Sequence, residues 1–542
     1  MFSLFSKQHA TEKQVLFQVP PMDPFENPLV ETHPGELRQW ATALPFANPE
    51  QLAEAVISSL RKLNRFPGPV KKREELMGIY QTPSTRLYHL LLDGKKSLPI
   101  GVSRQLMLEM AYGYLHIINT TLKAKSTAKQ RKNLHYTIYY AIKFLSLEYL
   151  YACEEYDCRS GIRLRELIRL HTLAEVLHLQ DEPITDADYP HTSISHQINL
   201  YLLLSLLDPC HLQAGESRVV FSYMSSFAHL ARFEPLDSPP EPAGQYVIDK
   251  LGEVTPHLSD PSAIKTLSAP RFCLFNLIPV SQQLHQHLRS IEQQNSQTLV
   301  AMQQLGAKAT ANLLRRMLKS WHIRLERDTE RHKTSGQAML WFGLPTIHRF
   351  LTGEVATASP DNDSEQEISV TQDVGGLSNQ VQLTEQKIPC WRFNQSRSGA
   401  ALHLPRQLAA TPQVGELVIL AKPNASRHDE WKLGVIRRSL LRDAGVLEIG
   451  VQFINGRIVP LSLQPIGVEE EDEEKKENEP ITLPALYIDQ GNIERSSLLA
   501  TRETLKVVRE YRVEEMIPAP NISPVHLTEV TARYERFRVT RS

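Results

Sequence analysis

Long apolar runs are missing from this chain of 542 residues. The two most apolar stretches are IYYAIKFLSLEYLYA (138–152) and INLYLLLSLLDPC (198–210). Lys143 and Glu148 interrupt the first, and the second is too short to cross a bilayer. Both are expected as buried helices. The opening MFSLFSKQHATEKQ has too short an apolar part for a signal peptide. Cysteine is scarce: five residues, odd in number and scattered, with no CxxC pair. That excludes a disulfide framework, gives no zinc signal and suits a reducing compartment. A charge excess of either sign is absent too, the formal net charge being −1. Bulk attraction to DNA or to an anionic membrane is therefore not indicated. These absences predict a soluble, cytoplasmic protein that does not bind nucleic acid.

What is present is ordinary for globular protein, with 41% hydrophobic and 22% charged residues. The length is too great for one core and implies two to four domains. Residues 1–33 are Pro-rich and weakly patterned, an extended arm. Helical periodicity then runs through 34–320, expected as an all-α domain. NPEQLAEAVISSLRKLNRF shows the pattern most clearly: Asn48 caps, Pro49 takes the first helical position, and Leu52, Val56, Leu60 and Leu63 share a face. Further helices are expected near 101–124, 128–154, 158–179, 194–208, 216–232 and 271–292. A long helix over 299–327 carries Leu299, Met302, Leu305, Ala309, Leu313, Met317 and Trp321 at steps of three and four. Such a stripe packs on a neighbour in the chain or on a second copy, which would make a homodimer. The core reading is the commoner.

Beyond residue 321 the period shortens to two. Strands are expected at 337–344, 387–393, 399–405, 415–421, 431–439 and 446–454, enough for a small antiparallel barrel spanning 321–465. It is interrupted by a polar, acidic, aperiodic insertion over 353–386. EEEDEEKKENEP lies in an acidic linker over 466–480, and 481–542 reads as a small β-rich unit. The expected class is multidomain α + β.

Inside the barrel pattern, RFNQSRSGAALHL (392–404) breaks the alternation with Asn394-x-Ser396-x-x-Gly399. Alone, that run is a tight turn, with Asn and Ser bonding local backbone and Gly taking positive φ. Ahead of the first strand lies RLERDTERHK, containing Arg327-x-x-x-Arg331. Arginines four apart share a helix face and suit a helix C-terminus. Both elements occur in order at the front of a six-strand pattern.

Arg-x-x-x-Arg, a strand, Asn-x-Ser-x-x-Gly, VGELVIL and GVIRRSLLRDAGVLEIGVQF together resemble a PilZ domain over about residues 321–460. The resemblance implies a six-stranded barrel that binds bis-(3′-5′)-cyclic dimeric GMP in bacteria. Its site residues would be Arg327, Arg331, Asn394, Ser396 and Gly399. The gap from Arg331 to Asn394 is longer than usual, which the insertion accounts for. The chemistry suits the ligand. Arginine forks match guanine O6 and N7 or phosphate, Asn reads a guanine edge, and Ser with turn N–H groups takes a phosphate. In this reading the polar break is a ligand-facing edge where Gly399 lets the backbone come close. Arg397 is expected as an exposed turn residue.

No run resembling GGDEF or EAL is present. His428-Asp429 lies in an expected loop. The pair His285 and His287, and His171 with His178, read as ordinary helix histidines rather than metal ligands. No catalytic residue, metal or cofactor is therefore expected, the ligand being cyclic di-GMP. A helical protein-interaction domain with an unidentified protein partner completes the expectation. Receptors of this kind control pili, motility or surface attachment. The competing reading is a non-catalytic adaptor whose degenerate barrel binds no nucleotide.

Overall fold

The computed structural model describes residues 17–22, 32–92, 99–124, 134–159, 161–189, 192–236, 243–258, 271–293, 307–322, 332–353, 387–405, 411–423, 430–442, 445–466, 482–492, 494–507, 509–513 and 521–541. The chain divides into two compact units. One holds residues 1–209 and 215–325, and the other 210–214 and 326–542.

The first unit is built on helices α1 (Pro34–Thr42), α2 (Pro49–Arg65), α3 (Val70–Leu92), α4 (Ile100–Lys123), α5 (Leu134–Glu154), α6 (Gly161–Leu177), α7 (Ile194–Ser205) and α8 (Glu216–Ser225). The start of α2 is the one read from sequence. Asn48 Oδ1 accepts from the Glu50 and Gln51 amides at 3.1 and 3.2 Å, satisfying two N–H groups that have no partner within the helix. Leu52, Val56, Leu60 and Leu63 are all buried.

Helix α5 is buried along most of its length, and its two interrupting charges are buried with it. Lys143 Nζ lies 2.8 Å from Asp186 and 2.6 Å from Asp188. Glu148 accepts from Arg104 at 3.1 Å and from Arg163 at 2.9 Å. Low-dielectric burial is tolerated because each charge meets an opposite one. Among the described residues no helix is long and apolar enough to cross a membrane.

Past α8 the pattern departs from the expected all-helical region. Strands β1 (Arg232–Pro235), β2 (Gln245–Asp249), β3 (His257–Leu258) and β4 (Phe272–Asn276) form an antiparallel sheet in the order β1-β4-β2-β3. Helix was expected over 216–232 and 271–292, whereas α8 stops at Ser225 and α9 (Ile278–Glu292) starts only after β4. Short apolar runs such as QYVID and FCLFN fit either period, and pairing across the sheet decides them. In α10 (Ala307–His322), Leu313, Met317 and Trp321 are buried inside the unit. The Trp321 indole N–H donates to the Leu203 carbonyl at 3.3 Å. This described part of the stripe is consumed by the chain's own core. Leu299, Met302 and Leu305 lie outside the described residues.

The second unit contains two closed antiparallel barrels. The first joins β5 (His332–Phe342), β6 (Lys387–Gln395), β7 (Gly399–Pro405), β8 (Leu417–Ala421), β9 (Trp431–Leu441) and β10 (Val446–Phe453) in the order β10-β7-β6-β5-β8-β9. Leu447, Ile449, Val451 and Phe453 alternate inward on β10, as the sequence predicts. The expected small unit over 481–542 is not a barrel by itself: the second barrel also takes in residues 457–465, which were expected within the first. This second barrel is made of β11 (Arg457–Pro465), β12 (Leu483–Asp489), β13 (Ser497–Thr501), β14 (Tyr511–Val513), β15 (Asn521–Val530) and β16 (Tyr534–Arg541).

Between β5 and β6 comes a helix the sequence reading lacked, α11 (Leu344–Thr352). Its Leu344, Ile347 and Phe350 pack in one apolar cluster with Ile419 and Leu433 of the first barrel and Leu486 and Leu499 of the second. His348 Nε2 donates to the Leu461 carbonyl at 3.1 Å. The two barrels therefore share a core around α11.

Candidate functional site

The Asn394–Gly399 run forms the hairpin between β6 and β7. Asn394 is opposite Lys333 on β5 and Ala401 on β7. Register shifts flank it, between Lys333 and Gly336 on β5 and between Arg392 and Asn394 on β6. Such bulges re-aim side chains at a sheet edge. The Ser396 N–H donates to the Gly399 carbonyl at 2.8 Å, closing the turn. The Ser396 hydroxyl lies 3.2 Å from Ser398 Oγ. The Ser398 carbonyl accepts from the Phe453 N–H at 2.8 Å, which ties the turn to the end of β10. Arg397 is exposed.

Gly399 has a different geometric reason from either one read in the sequence. Its φ is not positive. A Cβ at this position would lie 2.3 Å from the Val451 carbonyl oxygen. The close approach that requires glycine is between β7 and β10. Gly399→Ala must push the two strands apart, with an expected cost of about 1–3 kcal/mol. Urea unfolding of the full chain checks it: an unchanged midpoint would mean the β7–β10 contact is not tight.

Three polar atoms on neighbouring positions of β5 and β6 are buried without a hydrogen-bond partner: Thr334 Oγ1, Arg392 Nε and Asn394 Oδ1. Leaving such a group unmet costs about 1–3 kcal/mol. The three lie close together beside the turn. Arg392 was not singled out from sequence. It stands two residues before Asn394, and its Nη1 donates to Gln395 Oε1 at 2.7 Å, which leaves Nε uncommitted. No sequence signal singled it out, because the bulge between Arg392 and Asn394 breaks the alternation along β6.

Outward from the same strand, Trp391 is 44% exposed. The Phe393 ring stacks on His403 of β7 with centroids 4.1 Å apart. Below the edge, burial raises the Cys390 thiol to about 12, so it stays protonated and unreactive. Arg327, Arg331, His428 and Asp429 lie outside the described residues. Among the described residues no group of three or more His, Cys, Asp or Glu side chains is placed to hold a metal.

The chain matches two family models that follow one another along it. Residues 35–240 match the N-terminal domain of the cyclic-di-GMP receptor FimW, and residues 259–387 match its middle PilZ domain. The first match covers α1 to β1. The second includes Arg327, Arg331 and β5 and ends at the first residue of β6, so Asn394, Ser396 and Gly399 lie beyond it. No curated protein matches the chain. Both models describe domains of a receptor, which binds its ligand and does not transform it. The chain belongs to the PilZ-domain cyclic-di-GMP receptors of the FimW type, with a large N-terminal domain preceding its barrels.

Proposed function

We propose that cyclic di-GMP is held at the β5–β6–β7 edge of the first barrel by Arg327, Arg331, Asn394 and Ser396, with Arg392 as a further contact. The observation that carries this reading is the trio of unpartnered atoms at that edge, Thr334 Oγ1, Arg392 Nε and Asn394 Oδ1. They offer a guanine or phosphate both a charged donor and an acceptor. Gly399 keeps the turn against β10 and so holds Asn394 and Ser396 in place. The exposed Trp391 ring supplies a face on which a purine can stack. Asn394→Ala and Ser396→Ala are expected to weaken binding without unfolding the protein. Native affinity in both variants, measured by calorimetry, would move the site elsewhere.

The acidic insertion plays no part in this contact set. Replacing 354–380 by a short Gly/Ser bridge is expected to leave affinity nearly intact, because this polar, aperiodic stretch has little to bury. Loss of binding with a native circular dichroism spectrum would place the insertion in the site.

The output of a cytoplasmic receptor of this kind is a protein contact made by the helical unit, and the process served is a surface one such as pili, motility or attachment. The division between the units falls at 325/326, just before Arg327. A ligand that pins Arg327 and Arg331 fixes the segment joining the units and biases their arrangement. Distances between spin labels on the two units are expected to narrow and shift on adding cyclic di-GMP. An identical distribution with and without ligand would exclude the relay and leave the binding site untouched.

A further inference from the structure

The described part of the N-terminal arm, residues 17–22, lies against the helical unit with one side chain buried there. Phe17 is 5% exposed, whereas Gln18, Pro21 and Met22 face solvent. Among the described residues no backbone–backbone hydrogen bond involves this segment. Side chains hold its main chain instead. Asn119 on α4 grips Phe17 from both sides: its Oδ1 accepts from the Phe17 N–H at 2.9 Å, and its Nδ2 donates to the Phe17 carbonyl at 2.9 Å. The amide thus makes the pair of bonds that an antiparallel strand would make to one residue, and it selects an extended backbone.

Helix α6 supplies the other contacts. The next main-chain N–H, that of Gln18, donates to the Glu166 carboxylate. Glu166 is held from behind, with Arg163 Nη1 3.6 Å from its Oε2 and Arg163 Nε bonded to Glu148 at 2.9 Å. The Arg169 guanidinium stands over the Phe17 ring, 5.4 Å from its centroid. Asn119 and Glu166 read main-chain groups that any peptide carries. Only the buried ring is particular to the residue in place. The arm is therefore held as a peptide ligand is held, by a groove built 102 residues and more along the chain.

We infer that this groove is a peptide-recognition site, that Phe17 of the chain itself fills it in cis, and that the partner it fits is a protein segment of the same chemistry, extended and presenting one aromatic residue. Main-chain bonds supply affinity in such a mode, and the aromatic pocket supplies specificity. The partner must displace the arm, so the arm sets the concentration at which the partner engages. The inference names a surface for the protein contact proposed above, but it stands on residues of the helical unit alone.

The probe is a peptide of residues 17–22, acetylated at its N-terminus to keep the Phe amide N–H and carrying fluorescein at its other end. Every titration is made without cyclic di-GMP, so its outcome is independent of the nucleotide site. Followed by anisotropy, the probe is expected to bind saturably at one site to the full chain carrying Phe17→Ala. It is expected to bind at least about tenfold more weakly to the unmodified chain, whose tethered arm competes at high effective concentration. The same peptide with its Phe replaced by Ala is expected not to bind. Asn119→Leu added to Phe17→Ala is expected to weaken the probe at least about tenfold, through the loss of two hydrogen bonds. Asn119→Asp keeps the acceptor and loses the donor, and it carries the comparison should Asn119→Leu fail to fold. No saturable binding to the Phe17→Ala chain, equal binding of the Ala peptide, equal affinity for the two chains, or full affinity in a folded Asn119 variant would each overturn the assignment and leave the arm a fixed part of the fold.

Discussion

Removing both arginines, Arg327→Ala with Arg331→Ala, is expected to abolish cyclic di-GMP binding at concentrations that saturate the unmodified chain. In the proposed site each guanidinium would contribute a charge-assisted bond of about 1.5–3 kcal/mol, so losing the pair is expected to lower affinity by a factor of about 10² to 10⁴. Side chains acting on one ligand need not be additive, and the two single variants set the scale. Lysine at either position keeps the charge and loses the planar fork. Arg331→Lys is therefore expected to recover only part of the affinity. The melting temperature without ligand should be unchanged in all of these. Calorimetry showing full affinity in Arg331→Ala would remove this residue from the site.

The largest effect on stability is expected in the first unit. Lys143 stands between Asp186 and Asp188, and all three side chains are at most 6% exposed. Its ammonium also faces the Tyr189 ring at 5.3 Å. Lys143→Met fits the space but leaves two buried carboxylates without their cation. Breaking a buried pair in this way costs about 3–5 kcal/mol, mostly as the penalty on the stranded charge. The half-exposed His89, 2.8 Å from Asp188, can offset part of it only when protonated. Adding Asp186→Asn to Lys143→Met is expected to restore part of the loss. Urea unfolding of the single and double variants measures both, and a Lys143→Met midpoint equal to wild type would show the triad to be energetically idle.

That triad also shows how far the sequence could be read. Lys143 and Glu148 argued against a membrane span, and periodicity placed them in a buried helix. Their partners lie up to 45 residues away, so nothing local named them. The strands of the first barrel were legible because period-two alternation survives in short segments when one face is buried, as in 446–453. Helix α11 was missed although its signals are present. Gly343 and Gly353, both with positive φ, bracket it, and Pro345 sits in its first turn. Nine residues between a strand and an acidic stretch were too short for the period to stand out. The sheet β1–β4 was lost for a related reason: strands of two to five residues carry too little pattern.

At the candidate site, Asn394, Ser396 and Gly399 were visible as a motif, while the geometric need at Gly399 was not. Only strand register brings Val451 against it. Arg392 carried no motif and came into view only through its buried, unpartnered Nε near the bulge that separates it from Asn394.

The most direct test is an equilibrium titration of the full chain with cyclic di-GMP, with GTP and cyclic GMP as controls, repeated on Asn394→Ala. The account predicts saturable binding of the cyclic dinucleotide alone, weakened in a variant that stays folded. No binding, equal binding of all three nucleotides, or native affinity in Asn394→Ala would contradict it.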